Sequence, residues 1–137
     1  MVKIAKLAVI GVFAAVLALF GGTLSASAAS VTPTVLAGNP SCEGGLKIEP
    51  VSSGTYGPIT IAVSGSSFSF SANGVLVTSV IVKGGPNANL YTYPAPGVSS
   101  DTGLTAPINA KTDRPYGLSH LCFFFDDKKT PDPDPKK

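Results

Sequence analysis

Proline and glycine occur so densely in this chain that long helices are not expected. All 12 prolines and 12 of the 15 glycines fall in the 109 residues from Ala29 to Lys137. Proline breaks a helix and glycine weakens it. The same stretch is long enough for one domain with one modest hydrophobic core. We therefore expect short strands joined by turns.

Residues 1–28 have the pattern of a secretory signal peptide. Lys3 and Lys6 precede 14 uncharged residues at 7–20, and small residues at 26–28 match a peptidase cleavage pattern. The apolar run is short for a membrane span, which needs about 20 residues. We predict cleavage before Ala29 and a secreted product with no membrane span after cleavage. The alternative is an uncleaved N-terminal anchor.

The charge balance argues against two classes of partner. After position 28 the chain carries eight basic and eight acidic residues. A neutral chain has no electrostatic reason to bind nucleic acid or anionic lipid. We expect the partner to be an extracellular ligand or a cell-surface component.

Cys42 and Cys122 are the two cysteines of the chain. In an exported protein, two cysteines are expected to form a disulfide. A bridge closing about 80 residues contributes roughly 4–5 kcal/mol in the chain-entropy model. The alternatives are a reactive thiol or a metal pair, but this separation matches no metal motif.

The hydrophobic pattern predicts an all-β fold, a single small antiparallel β-sandwich or barrel-like domain with one disulfide. Asn73-Gly74 is a strong hairpin signal, and the apolar strand after it is expected to be central. Phe68, Phe70, Phe123 and Phe125 are expected in the core. The six predicted strands are 46–49, 59–63, 67–71, 75–82, 89–93 and 118–125.

The predicted organisation has four parts. Residues 1–28 are the signal peptide and 29–40 a lead-in segment. Residues 41–125 form the domain, with a long loop region at 95–117. Residues 126–137 are charged and rich in proline, which is typical of a disordered or extended tail.

Five short segments resemble a module found in uncharacterised secreted and cell-wall-anchored bacterial proteins. They are 80–85 (VIVKGG), 87–93 (NANLYTY), 101–104 (DTGL), 106–109 (APIN) and 116–120 (YGLSH). The resemblance covers about residues 42–125 and implies location and fold more than chemistry. In similar proteins the last strand leads to a stalk and a sorting signal. This chain has neither a sorting motif nor a hydrophobic tail, so the resemblance does not predict wall attachment.

No residue set predicts catalysis, a cofactor or a metal site. His120 is the only histidine, so a Ser-His-acid mechanism needs it together with Asp101 or Asp113. The candidate nucleophiles Ser99, Ser100 and Ser119 lack a G-x-S-x-G turn. The carboxylates form no glycosidase or calcium-loop pattern, and Lys83-Gly84-Gly85 lacks the rest of a phosphate loop. A histidine hydrogen-bonded to the long loop is the favoured interpretation.

Aromatic and polar residues together define a candidate ligand surface. Rings with Asn and Asp side chains suit sugars or peptide groups. The favoured alternative is that Tyr91 and Tyr93 brace the long loop over the sheet. The candidate residues are Asn87, Asn89, Tyr91, Tyr93, Asp101, Tyr116 and His120.

Three functions are therefore open, in decreasing order of preference. The first is a secreted, non-enzymatic bacterial surface or extracellular module for recognition or adhesion. The second is a small-ligand or carbohydrate-binding module using Tyr91, Tyr93 and Tyr116. The third is a small secreted hydrolase centred on His120.

Overall fold

The computed structural model describes residues 28–127, which form eleven strands and no helix long and apolar enough to cross a membrane. The strands are β1 Thr34–Ala37, β2 Leu46–Ile48, β3 Gly54–Tyr56, β4 Ile59–Ser64, β5 Ser67–Ala72, β6 Val75–Gly84, β7 Asn87–Thr92, β8 Ser100–Thr105, β9 Ile108–Asn109, β10 Arg114–Pro115 and β11 His120–Asp127. The leader up to residue 27 and the tail from residue 128 lie outside the described residues.

Two antiparallel sheets pack into a sandwich. One has the order β1-β7-β6-β11-β2 and the other the order β8-β5-β4-β3, with β9 and β10 as a separate ribbon. Strand β6 lies in the middle of the five-stranded sheet, as its apolar sequence predicted. The all-β prediction is confirmed.

The inner faces of the sheets meet through aromatic rings. Phe68 and Phe70 alternate with serines on β5, so both rings point inward. They pack edge-to-face on Phe123 of β11, with ring centroids 6.3 and 5.2 Å away. Phe125 is half-buried against the same core. The predicted aromatic core is confirmed.

The disulfide lies on the outer face of the five-stranded sheet. Cys42 and Cys122 are bonded, with their Cα atoms 5.7 Å apart. Cys122 is buried beside Ile81 and Ala88. The bridge therefore fastens the segment before β2 to β11, as predicted, and it is typical of a protein from an oxidising compartment.

The hairpin predicted at Asn73-Gly74 is wrong. A turn is present, with Gly74 at φ 82° and the Asn73 amide donating to the Pro58 carbonyl at 2.8 Å. However, β5 pairs with β4 and β8, whereas β6 pairs with β7 and β11. Both edges of β5 are occupied, so the turn carries the chain from one sheet to the other.

The prediction that residues 95–117 are loop is wrong for β8 and for the short strands β9 and β10, and residues 34–37 of the lead-in segment form β1. Asp101 pairs with Phe70 and Leu104 with Phe68, so β8 advances three residues against two on β5. This irregularity places two buried residues three positions apart. Period-two alternation is therefore lost, and the sequence pattern does not indicate a strand.

Candidate functional site

Two of the seven candidate surface residues, Tyr93 and Asp101, meet in a buried hydrogen-bond network. Asp101 is its centre: its carboxylate accepts hydrogen bonds from the Tyr93 hydroxyl at 2.8 Å and from the Thr102 amide at 2.9 Å. The Ser30 amide donates to both oxygens at 3.0 and 3.1 Å, and the Ser30 hydroxyl donates at 3.1 Å. Asp101 thus joins the segment before β1 to both sheets.

Because this network is buried, it stabilises the fold and is not open to a ligand. Asp101 is 8% exposed and Tyr93 is 4% exposed. Burial raises the pKa of the Tyr93 hydroxyl above its ordinary value, and the hydrogen bond to Asp101 raises it further. Tyr93 therefore remains a proton donor to the carboxylate at any physiological pH.

Tyr91 and Asn89 form hydrogen bonds with the backbone N–H and C=O of Thr105, which lies in the edge strand β8. The Tyr91 hydroxyl accepts from the Thr105 amide at 3.0 Å and donates to its carbonyl at 3.1 Å. The Asn89 side-chain amide donates to the same carbonyl at 2.9 Å. An unpaired edge that is partly buried needs such partners. These contacts support the interpretation that the tyrosines brace the 95–117 region.

The same burial counts against a sugar stacked on these rings. Tyr91 is 2% exposed, so its face is not open to a ligand. Tyr116 is half-buried and packs over Gly85, where an added Cβ would lie 2.5 Å from the ring. At φ 63° this close approach requires glycine. Asn87 lies at the start of β7, where its side-chain oxygen accepts the Gly38 amide at 3.1 Å.

His120 is separated from the Asp101 network. It pairs with Lys83 and alternates with the inward-facing Leu121, so its ring lies on the outer face of the five-stranded sheet. Asp101 faces the interior between the sheets. Among residues 28–127, none hydrogen-bonds to the imidazole, so the expected bond to the long loop is not seen. The arrangement does not bring the histidine and this acid together.

His120 has a pKa below its ordinary value. Burial is the main cause, and the positive charges of Lys47 and Lys83 lower it further, against an opposing effect of Glu49. The neutral imidazole is therefore the form that the fold accommodates.

This pKa predicts an acid-sensitive stability. The unfolded chain takes up a proton near pH 6.5, before the native His120 does, so the free energy of unfolding falls as the pH drops from about 7 to 5.5. The slope is at most about 1.4 kcal/mol per pH unit for one proton. Urea titrations at several pH values measure it. His120→Asn should flatten the slope in this window, and an unchanged slope would contradict the assignment.

The exposed large hydrophobic residues of the described chain, Val35 and Ile108, border one groove. They are 58% and 55% exposed. The groove, of about 420 Å³, runs where the edges of the two sheets meet and is also lined by Val31, Pro33, Ala106 and Asn89. We call it the seam groove. Every side chain that lines it in the described range is uncharged.

A second hollow, of about 390 Å³, lies at the other side of β7. It combines the hydroxyl-bearing residues Thr78, Ser79 and Thr92 with Leu90, Pro96 and Asp126. Leu90 and Thr92 alternate with the inward-facing Tyr91, so the hollow opens on the outer face of the sheet. Tyr93 and Ala95 complete its lining, and Asp126 gives it a charged side chain, which the seam groove lacks.

Ser30, Val35, Thr105 and Ile108 were not among the predicted site residues. For Val35 the sequence contains one indication, because residues 34–37 (TVLA) contain no charge and could form an apolar strand. For Ser30 the sequence contains no indication, because its partner Asp101 lies 71 positions away.

Within residues 28–127 no group of three His, Cys, Asp or Glu side chains is placed to hold a metal ion. Comparisons with protein-family models, curated proteins and solved structures find no match for this chain.

Proposed function

We propose that this chain is a secreted, non-catalytic bacterial module that recognises an extended, uncharged segment of a partner polypeptide. The observation that carries the proposal is the position of Val35 and Ile108. Both are exposed, and both border the seam groove. Exposed apolar groups gathered on one groove are typical of an interaction surface.

The edge of β1 supports a strand-like partner. β1 is terminal in its sheet and pairs only with β7 among the described strands. Its four residues, TVLA, contain neither a charge nor a proline. Proteins usually protect such an edge with charged or short strands. The opposite edge, β2, carries Lys47, which forms an ion pair at 3.2 Å with Glu49 directly after the strand.

The chemistry of the groove defines the partner. An extended segment added along β1 would pair with its free backbone groups and place alternate side chains between Val35 and Ile108. A charged side chain would lose its hydration here without finding a counter-ion among the lining side chains, so the segment should be neutral. The second hollow lies on β6 and β7, whose edges are both paired, and it contains the charged Asp126.

Export is supported by the leader pattern of residues 1–28 and by the resemblance to secreted modules. The Cys42–Cys122 disulfide adds to this, because such bonds persist in oxidising compartments.

The test compares two double variants of the mature domain on washed cells of the bacterium that exports it. Val35→Lys/Ile108→Lys should lower retention on cells at least about tenfold, since losing two apolar anchors costs more than about 1.4 kcal/mol. Ala62→Lys/Ser64→Lys adds the same charge at exposed positions of β4 and should bind like the wild type. Retention is measured with fluorescently labelled protein.

Cells treated with protease distinguish the class of partner. Retention should disappear after treatment, because the proposed partner is a polypeptide. Equal retention on treated cells or on purified peptidoglycan would overturn the proposal in favour of a glycan. A wild-type dimer in solution that the groove variant abolishes would instead identify a second copy as the occupant.

A further inference from the structure

The residues that follow the predicted cleavage position are held by the fold. Ala28 is exposed, whereas Ala29 and Val31 are half-buried and pack against the main core. Between them, Ser30 makes three hydrogen bonds to the buried Asp101. No spacer therefore separates the predicted cleavage position from the first residues that the fold holds.

Asp101 lacks a positive partner among these contacts. Its hydrogen-bond donors are the neutral groups of Ser30, Tyr93 and Thr102. A carboxylate that is 8% exposed has little hydration to replace a counter-ion. A cation close to it would be stabilised more than at the surface, because burial reduces screening.

We infer that cleavage at the Ala28–Ala29 bond creates that cation: the new α-ammonium group of Ala29 becomes the ionic partner of Asp101. The Ser30 nitrogen is 3.0 Å from the carboxylate. Three backbone bonds of about 1.3–1.5 Å join the Ala29 and Ser30 nitrogens, so the Ala29 nitrogen lies within about 7 Å of the carboxylate. Hydrolysis of one peptide bond by water releases the leader carboxylate and this amine. The inference rests on the proposed export.

In this arrangement the mature N-terminus is a bonded part of the fold. An uncleaved chain has a neutral amide at Ala29, so it lacks the charge beside Asp101. The residues after the bond are also held by the core. Cleavage in an extended conformation must therefore come before Ala29 and Val31 pack against the core.

The test uses three forms of the mature chain: a free amine at Ala29, the same chain with an acetylated Ala29, and a chain with Gly-Ser before Ala29. The free-amine form should melt at least about 4 °C above the other two. The difference should shrink in high salt, which screens an ion pair but not packing. Equal melting temperatures of the free and acetylated chains would overturn the inference.

Asp101→Asn supplies the control for coupling. In the Asp101→Asn background the free and acetylated chains should have equal melting temperatures, because the carboxylate charge has been removed. A difference that persists there would assign the effect to another group. If Asp101→Asn does not fold, the salt dependence in the wild-type background decides.

Mass determination of the exported protein tests export separately. A mature chain starting at Ala29 supports both proposals. A chain retaining its leader would overturn the proposed secretion, while the melting comparison would still report on the pairing with Asp101.

Discussion

Reduction of the Cys42–Cys122 disulfide is expected to lower the melting temperature by more than about 15 °C. The bond closes a loop with a sequence separation of 80. Opening it restores conformational freedom to the unfolded chain worth roughly 4–5 kcal/mol. In a domain of about 100 residues, each kcal/mol shifts the melting temperature by about 4–8 °C. Circular dichroism with and without a reductant measures the shift.

The double variant Cys42→Ala/Cys122→Ala is the matched control. It should melt near the reduced wild type and should not respond to the reductant. Cys122 is buried with Ile81 and Ala88, so part of any loss could come from packing. Agreement between the variant and the reduced wild type identifies the bond as the cause. A wild type that melts equally with and without reductant would refute the expectation.

Asp101→Ala is expected to lower the free energy of unfolding by about 3 kcal/mol or more. The substitution leaves the buried Tyr93 hydroxyl and the Ser30 and Thr102 amides without their acceptor. The buried Tyr93 hydroxyl left unsatisfied costs about 1–3 kcal/mol, and the loss of the part-buried hydrogen bonds from Ser30 and Thr102 adds to this. Urea unfolding at pH 7 measures the change.

Two further substitutions, Tyr93→Phe and Glu43→Ala, give stability changes against which the loss in Asp101→Ala is compared. Tyr93→Phe removes one donor while Asp101 keeps Ser30 and Thr102, so about 1 kcal/mol is expected. Glu43→Ala removes an exposed carboxylate and should change the stability by less than about 0.5 kcal/mol. Equal effects of Asp101→Ala and Glu43→Ala would show that the network contributes little.

Local patterns predicted the elements that depend on neighbouring residues. The alternation of Phe68 and Phe70 with serines placed both rings on one face, and the apolar run from Val75 predicted the central strand. Gly74 marked a turn through its tolerance of positive φ. Each of these predictions concerns one short segment, so the sequence alone was sufficient.

Pairing between segments could not be read in the same way. The Asn73-Gly74 turn has hairpin chemistry, but β4 and β8 occupy both edges of β5, and β6 joins the other sheet. The irregular pairing of β8 removed the alternation that would have identified it. The candidate rings Tyr91 and Tyr93 were recognised, yet their burial depends on hydrogen bonds to Thr105 and Asp101.

The amino-acid sequence alone predicted an all-β chain with a disulfide, an aromatic core and a leader pattern. These features follow from apolar periodicity, turn residues and the number of cysteines, which can be read from short segments or counted. Tertiary structure decided that the tyrosines support the interior, that Ser30 holds Asp101 and that Val35 meets Ile108 at one groove. Contacts between residues as far apart as 71 positions decide which polar groups are buried and which apolar groups stay exposed.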